Sequence, residues 1–218
     1  MTCRVLRLNP LNPDPKAIEE IVNTVRSGGI IIYPTDTVYG LGGRIDREEV
    51  LERIALIKGR GKKPFPVLAS SAQKASELGV FNRRARLLVE EFWPGPLTIK
   101  VIAKVKLSNL LVDEEGKIAL RVPDCTIAVK IAEGAGGFIV GTSANRTGSP
   151  SPLTLEEALR EIGEKVDLAV DGGVTTYRCP STIIDVTVSP PVIVRVGAIA
   201  PEEIEEVLGE EVRVIKAR

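Results

Sequence analysis

No histidine occurs anywhere in the 218 residues. That absence removes the usual general base of hydrolases and the commonest metal ligand. A Ser-His-Asp or Cys-His arrangement cannot be assembled from this chain, nor can a zinc site that uses imidazole. Chemistry falls instead to Lys, Arg, Asp, Glu, Tyr, Ser, Thr, Asn, Cys or the backbone. Cysteine is also scarce. Cys3, Cys125 and Cys179 are odd in number, far apart and outside any CxxC, so they read as cytosolic thiols rather than a disulfide frame. Neither sign of charge is in excess, with 29 Lys plus Arg against 29 Asp plus Glu. The chain as a whole therefore has no bias towards nucleic acid or membranes, although a local basic patch stays open. No apolar run nears the ~20 residues that cross a bilayer. The start, MTCRVLRLNP, lacks the apolar stretch of a signal peptide. A cytoplasmic location without membrane attachment is expected. Two phosphate-binding signatures are missing too, GxxxxGK[ST] and GxGxxG after a strand, so any nucleotide must be held by another route.

What is present is a globular composition, 44% hydrophobic and 27% charged, long enough for one large domain or two small ones. Strand and helix signals alternate from end to end. CRVLRL (3–8), GIIIY (29–33), PVLA (66–69), LTIKVIA (97–103), KIALRV (117–122), FIVG (138–141), LAV (168–170), STIIDV (181–186) and VIVRV (192–196) read as strands. Between them, Asp14-Pro15 opens a helix that Gly28-Gly29 closes, and Asp46 is expected to cap another. Further helices are expected over 72–78, 82–92 and 125–133, after a Thr154/Glu157 capping box, and after Pro201. This predicts an α/β protein with a single twisted, mixed sheet and helices on its faces. SPP is too short for a crossover, so 181–186 and 192–196 must pair antiparallel or turn a corner. Residues 104–117 read as the most loop-like insertion.

Four segments hold side chains suited to chemistry. YPTDTVYGLGG (33–43) sets Thr35, Asp36, Thr37 and Tyr39 at a strand end before three glycines. Such a loop suits a small polar ligand, and equally a turn capped by its own hydroxyls. KGRGKKP (58–64) brings Lys58, Arg60, Lys62 and Lys63 together. In an extended loop Lys58 and Arg60 would point the same way and could clamp a polyphosphate or carboxylate, although charge runs are more often solvated faces. GTSANRTGSPSP (141–152) offers Ser143, Asn145, Thr147, Ser149 and Ser151, donors that could cradle phosphate without a P-loop. Arg121 and Arg195 each interrupt an apolar strand, and an Arg so placed is rarely buried without a partner. Together with the basic loop they suggest an anion cleft; ordinary ion pairs would explain them as well.

The ordered set PTDTVYGLG (34–42), KGR (58–60), FWPGPLT (92–98), RVPD (121–124), TSAN with the following SPSP (142–152), STIID (181–185) and VRVG (194–197) resembles the YrdC-like family, the threonylcarbamoyl-AMP synthases. The resemblance implies one catalytic domain over 1–218, of the short form without the extra C-terminal domain of longer relatives, and a concave basic cleft. It implies a nucleotidyltransferase that turns L-threonine, bicarbonate and ATP into L-threonylcarbamoyl-AMP and pyrophosphate, feeding a separate transferase that modifies tRNA. By the same resemblance Lys58 and Arg60 would be catalytic, neutralising the triphosphate and the carboxylate formed on the threonine nitrogen. Lys58, Ser143, Asn145, Ser151 and Arg195 would hold ATP, and Thr35, Arg121 and Ser181 would hold threonine. Mg²⁺ would arrive on the ATP phosphates with no dedicated protein ligands, and no organic cofactor is implied. Alanine at Lys58 or Arg60 is expected to lower turnover with little loss of stability. Many relatives have a His after the Lys-x-Arg motif or after Arg-x-Pro-x; here those places read PVLASS (66–71) and Cys125.

Three other readings stay in view. An RNA-binding module of the same fold would show a steep salt dependence, but zero net charge and few aromatics count against direct tRNA binding. A carbamoyl-adenylating relative would normally carry zinc-finger and acylphosphatase parts. A member that binds nucleotide without synthesis would not need the full Lys-Arg-Ser-Asn set. Residues 104–117 and 171–180 are candidate lids.

Overall fold

The computed structural model describes residues 3–59, 61 and 63–215. The chain runs β1 (Arg4–Arg7), α1 (Pro15–Arg26), β2 (Ile31–Tyr33), β3 (Gly40–Gly42), α2 (Glu48–Lys58), β4 (Val67–Ala69), α3 (Ala72–Leu78) and β5 (Gly79–Val80). It continues through α4 (Arg83–Phe92), β6 (Leu97–Ala103), β7 (Lys117–Arg121), α5 (Thr126–Gly134), β8 (Phe138–Val140), β9 (Thr142–Ser143) and α6 (Leu155–Ile162). The last elements are β10 (Leu168–Asp171), β11 (Thr182–Asp185), β12 (Val192–Arg195), α7 (Pro201–Leu208) and β13 (Arg213–Val214).

The α/β class agrees with the sequence, and so does the mixed strand pairing. The single sheet does not: the strands form two. One has the order β1-β10-β2-β3-β9, and the other β13-β12-β11-β6-β7-β4-β8, with β5 beside β6. The cause lies in FIVGTS. β8 pairs with β4 in the second sheet; one residue later β9 pairs with β3 in the first. At this crossing the Val140 amide donates to Gly43 O at 3.0 Å, and the Tyr33 hydroxyl donates to Val140 O at 2.7 Å. Gly141 makes the switch feasible, because a Cβ there would lie 2.6 Å from Leu68 Cγ.

Helix ends follow their capping chemistry, with one correction. Asp14 accepts from the Ala17 amide, with Pro15 at the first helical position, and Asn82 accepts from Ala85. Thr154 and Glu157 form the expected reciprocal box on α6. Asp46 does not cap α2; Arg47 occupies the N-cap, and the Asp46 carboxylate is taken by Arg44. Two apolar clusters hold the layers together. Ile18, Ile21, Val22 and Val25 of α1 pack with Ile127 and Ile131 of α5 against Ile31, Tyr33, Leu168 and Val170. The larger cluster lies under α2, α4, α6 and α7. β11 and β12 pair antiparallel, as the short SPP connection requires.

Candidate active site

Between the two sheets lies a cleft of about 590 Å³. One wall is loop: Thr35 to Gly40 after β2, and Gly141 to Ser151 after β8. The other is strand: Thr98 and Lys100 of β6, Lys117, Ala119 and Arg121 of β7, with Ser181, Ile183 and Arg195 beyond. Alternation along β6 and β7 puts these side chains on one face.

The loop wall is tied from behind. Lys58 ends α2 and is followed by Gly59 in the left-handed region at φ +57°, so it is helical rather than part of an extended loop. Its ammonium is buried and donates to Ser143 O at 2.6 Å, Asn145 O at 2.5 Å and Asn145 Oδ1 at 3.2 Å. The Lys58 carbonyl in turn accepts from the Thr147 amide at 2.9 Å. Asn145 completes the brace, its Nδ2 donating to Ser149 O at 2.5 Å. The Ala144 amide donates to Tyr39 O at 2.8 Å and the Tyr39 amide to Pro152 O at 2.9 Å, locking this loop to the 35–41 segment. Burial pushes the Tyr39 phenol up to about 12, so it stays protonated and donates to Gly173 O at 2.7 Å. Thr35 Oγ1 accepts from the amides of Thr37 and Val38, each at 3.2 Å, and donates to Val38 O at 2.6 Å. The turn capped by its own hydroxyls is therefore real, and it also faces the cleft.

The strand wall carries its charge in pairs. Arg121 is 5% exposed and donates from Nε to Gly95 O at 2.9 Å, from Nη1 to Thr37 Oγ1 at 2.8 Å, and from Nη2 to Asp36 Oδ1. Burial lowers its pKa, against the opposing pull of the Asp36 carboxylate, but a guanidinium stays cationic in a protein. Three of its five N–H groups are used by these bonds, so the fork has donors left for a ligand in the cleft. Roughly 13 Å further along β7, at about 3.3 Å per residue, Lys117 meets Asp185 at 3.0 Å and Glu115 at 2.5 Å, and Lys100 meets Asp113 at 2.8 Å. Arg195 donates from Nε and Nη2 to Ser181 O at 3.0 and 2.8 Å, and from Nη2 to Ser181 Oγ at 3.0 Å.

Thr35, Arg121, Ser143, Ser151, Ser181 and Arg195 therefore share one cleft. Lys58 and Asn145 sit behind its loop wall. Arg60 lies outside the described residues, as does Lys62, while Lys63 of the same basic run lines the cleft. Cys125 lines a separate pocket of about 490 Å³ with Trp93 and Pro94, and its thiol contacts Pro34 O at 3.4 Å. Sequence reasoning passed over Thr98, Lys100 and Lys117. The signal was there: LTIKVIA and KIALR place polar side chains on one face of otherwise apolar strands. Among the described residues no group of three or more His, Cys, Asp or Glu side chains could hold a metal ion. Nor is any helix long and apolar enough to cross a membrane.

Fold and cleft together define a class. A model of the Sua5/YciO/YrdC family, described as "Telomere recombination", matches residues 23–197, and the chain belongs to that family. Within it, the chain is 35% identical over 188 residues to the threonylcarbamoyl-AMP synthase of Pyrococcus abyssi, which covers 85% of this chain and 55% of that relative. The chain thus spans little more than half the length of that protein. The crystal structure of P. abyssi Sua5 complexed with L-threonine superposes with a TM-score of 0.91 at 31% identity, over 97% of this chain and 62% of that one. Escherichia coli YciO superposes with a TM-score of 0.85 at 30% identity, over 93% of this chain and 99% of that one.

Proposed function

We propose that this chain is a threonylcarbamoyl-AMP synthase, making L-threonylcarbamoyl-AMP and pyrophosphate from L-threonine, bicarbonate and ATP. One observation carries the reading: six residues matched by resemblance to the family's ligand set, from separate segments of the chain, converge on a single cleft. In this reading residues 1–218 act as one catalytic domain. The threonine nitrogen takes up the carbon of bicarbonate with loss of water. The resulting carboxylate attacks the α-phosphorus of ATP as the bond to pyrophosphate breaks. No side-chain nucleophile is required, so catalysis consists of positioning and charge neutralisation.

Arg121, fixed by Asp36 and Thr37, offers its remaining N–H groups to the threonine carboxylate. Thr35 and Ser181 line the same end. Ser143, Ser151 and Arg195 hold the adenylate. Lys58 and Asn145 act by shaping the 143–149 loop, with the ammonium held on the Ser143 and Asn145 carbonyl oxygens. Arg60 joins them as a catalytic cation on resemblance alone. Mg²⁺ travels on the ATP phosphates. The product passes, in the cytoplasm, to a separate tRNA-modifying transferase, and direct tRNA contact forms no part of the reaction.

The test is pyrophosphate release by the folded protein with Mg²⁺, ATP, bicarbonate and threonine, with each omitted in turn. Release that depends on threonine supports the synthase; none would sink it. The alternative is nucleotide binding without synthesis. Stabilisation by ATP with no threonine-dependent release would select that reading.

A further inference from the structure

Thr98 sits at the start of β6, 2% exposed, and lines the cleft. Its Oγ1 lies 2.8 Å from Ser181 Oγ, and either atom could be the donor. Ser181 Oγ also accepts from Arg195 Nη2 at 3.0 Å, so the guanidinium fills one of its two lone pairs. Two arrangements of protons remain. If Thr98 donates, both lone pairs of Ser181 are filled and its proton is left to donate, while Thr98 keeps two acceptor lone pairs. If Ser181 donates, it keeps one lone pair, and the Thr98 proton is left to donate. In either state the pair offers the cleft both a donor and an acceptor. A hydroxyl group meets that demand, since it gives one proton and accepts others; a methyl group meets none of it. Main-chain geometry holds the pair in place. Ile183 opposite Thr98 sets the register of β11 on β6, and the Arg195 bonds to Ser181 O fix the residue ahead of that strand.

We infer that Thr98, acting with Ser181 and braced by Arg195, is a specificity-determining residue that selects an amino acid bearing a side-chain hydroxyl over its methyl isostere. The inference rests on the synthase reading and goes beyond it in assigning the hydroxyl selection to Thr98. A site built around such a pair rejects the analogue lacking the hydroxyl, because its own buried polar atoms are then left unmet.

The experiment crosses two substrates with two proteins. Pyrophosphate release is measured with threonine and with valine, for wild type and Thr98→Val, alongside the KM for ATP and thermal melting. The expected result is a fall of about tenfold in kcat/KM for threonine, the loss of roughly one hydrogen bond. The rate with valine stays unchanged or rises, and so does the KM for ATP stay unchanged, so the threonine-to-valine ratio shrinks by about the same tenfold. Thr98→Ser, which keeps the hydroxyl, is expected to restore the ratio. If Thr98→Val does not fold, Thr98→Ala replaces it in the same comparison. A folded variant that keeps the wild-type ratio overturns the inference and leaves the synthase reading intact. Wild type that releases no pyrophosphate with threonine overturns both, and is recognised before any variant is made.

Discussion

On the loop wall of the cleft, one buried ammonium, Lys58, is spent on backbone and side-chain oxygens of residues 143 and 145. On the strand wall, Arg121, Lys100 and Lys117 line the cleft themselves, and each has a carboxylate against it: Asp36, Asp113, and Asp185 with Glu115. The first wall uses a cation to shape a loop whose hydroxyls line the cleft. The second uses carboxylates to hold cations in place. Counting basic residues would treat these alike. Their geometry separates a charge that organises backbone from charges that are already largely neutralised before any ligand arrives.

The strand wall gives the largest expected effect. Asp36→Ala strands the buried Arg121 guanidinium without its counter-ion, and is expected to cost about 3–5 kcal/mol of stability in urea denaturation. A loss under about 1 kcal/mol, the range of exposed pairs, would show that the pairing is not what holds this wall. On the loop wall, Lys58→Met keeps the length and removes the charge. It is expected to cost about 2–3 kcal/mol, since several buried acceptors lose a charged donor, and to weaken ATP binding in calorimetry. Unchanged stability with lost activity would return Lys58 to a purely catalytic role. The burial of its ammonium thus replaces the expectation, drawn from sequence, that alanine here would be nearly neutral for folding.

The smallest effect concerns the far end of the strand wall. Burial works to raise the Asp113 carboxyl, but the bond and charge of Lys100 together with the Lys117 and Glu115 amides outweigh it, so the net shift is downward. For Asp185, burial is likewise outweighed, by bonds from Thr187 and Lys117. A carboxyl whose folded pKa is depressed contributes stability that is present above its unfolded value, about 3.9 for Asp, and is lost as pH falls through the folded value. Stability is therefore expected to fall on acidification below about pH 4. Asp185→Asn should make that acid limb shallower in denaturation curves run at several pH values. An identical limb would mean that the Lys117 pairing adds nothing to the fold.

Much of this was legible in advance. Asp14-Pro15 and the Thr154/Glu157 box cap helices by local chemistry, which a sequence carries whole. The cleft residues Thr35, Arg121, Ser143, Ser151 and Arg195 were also visible as polar groups in or after apolar strands, whereas Ser181 was reached only through the resemblance to the family. The two-sheet architecture was not. β3 and β9 are three and two residues long, too short for any periodicity, and their pairing depends on contacts about a hundred residues apart. The role of Lys58 was hidden for a related reason. KGRGKKP looks like a solvated basic run, and only the tertiary fold brings residues 143–147 over the end of α2 to bury its first member. Asp46 misled because an acid before a helix usually caps it, and here Arg44 competes for the carboxylate.

The position of β10 has a consequence for the order in which the molecule can be built. It lies between β1 and β2, parallel to both, so those two strands never touch as ladder partners. A ribosome releases β1 and β2 within the first 33 residues, yet the strand that joins them ends only at Asp171. Until β10 has been made the first sheet has a strand-wide gap, with Ile31 and Ile32 on an open edge. Closing it is a non-local step that spans more than half the chain, of the kind that slows folding. The loop wall grows from that sheet and the strand wall reaches Arg195, so the cleft can be completed only after the chain through Arg195 has been made.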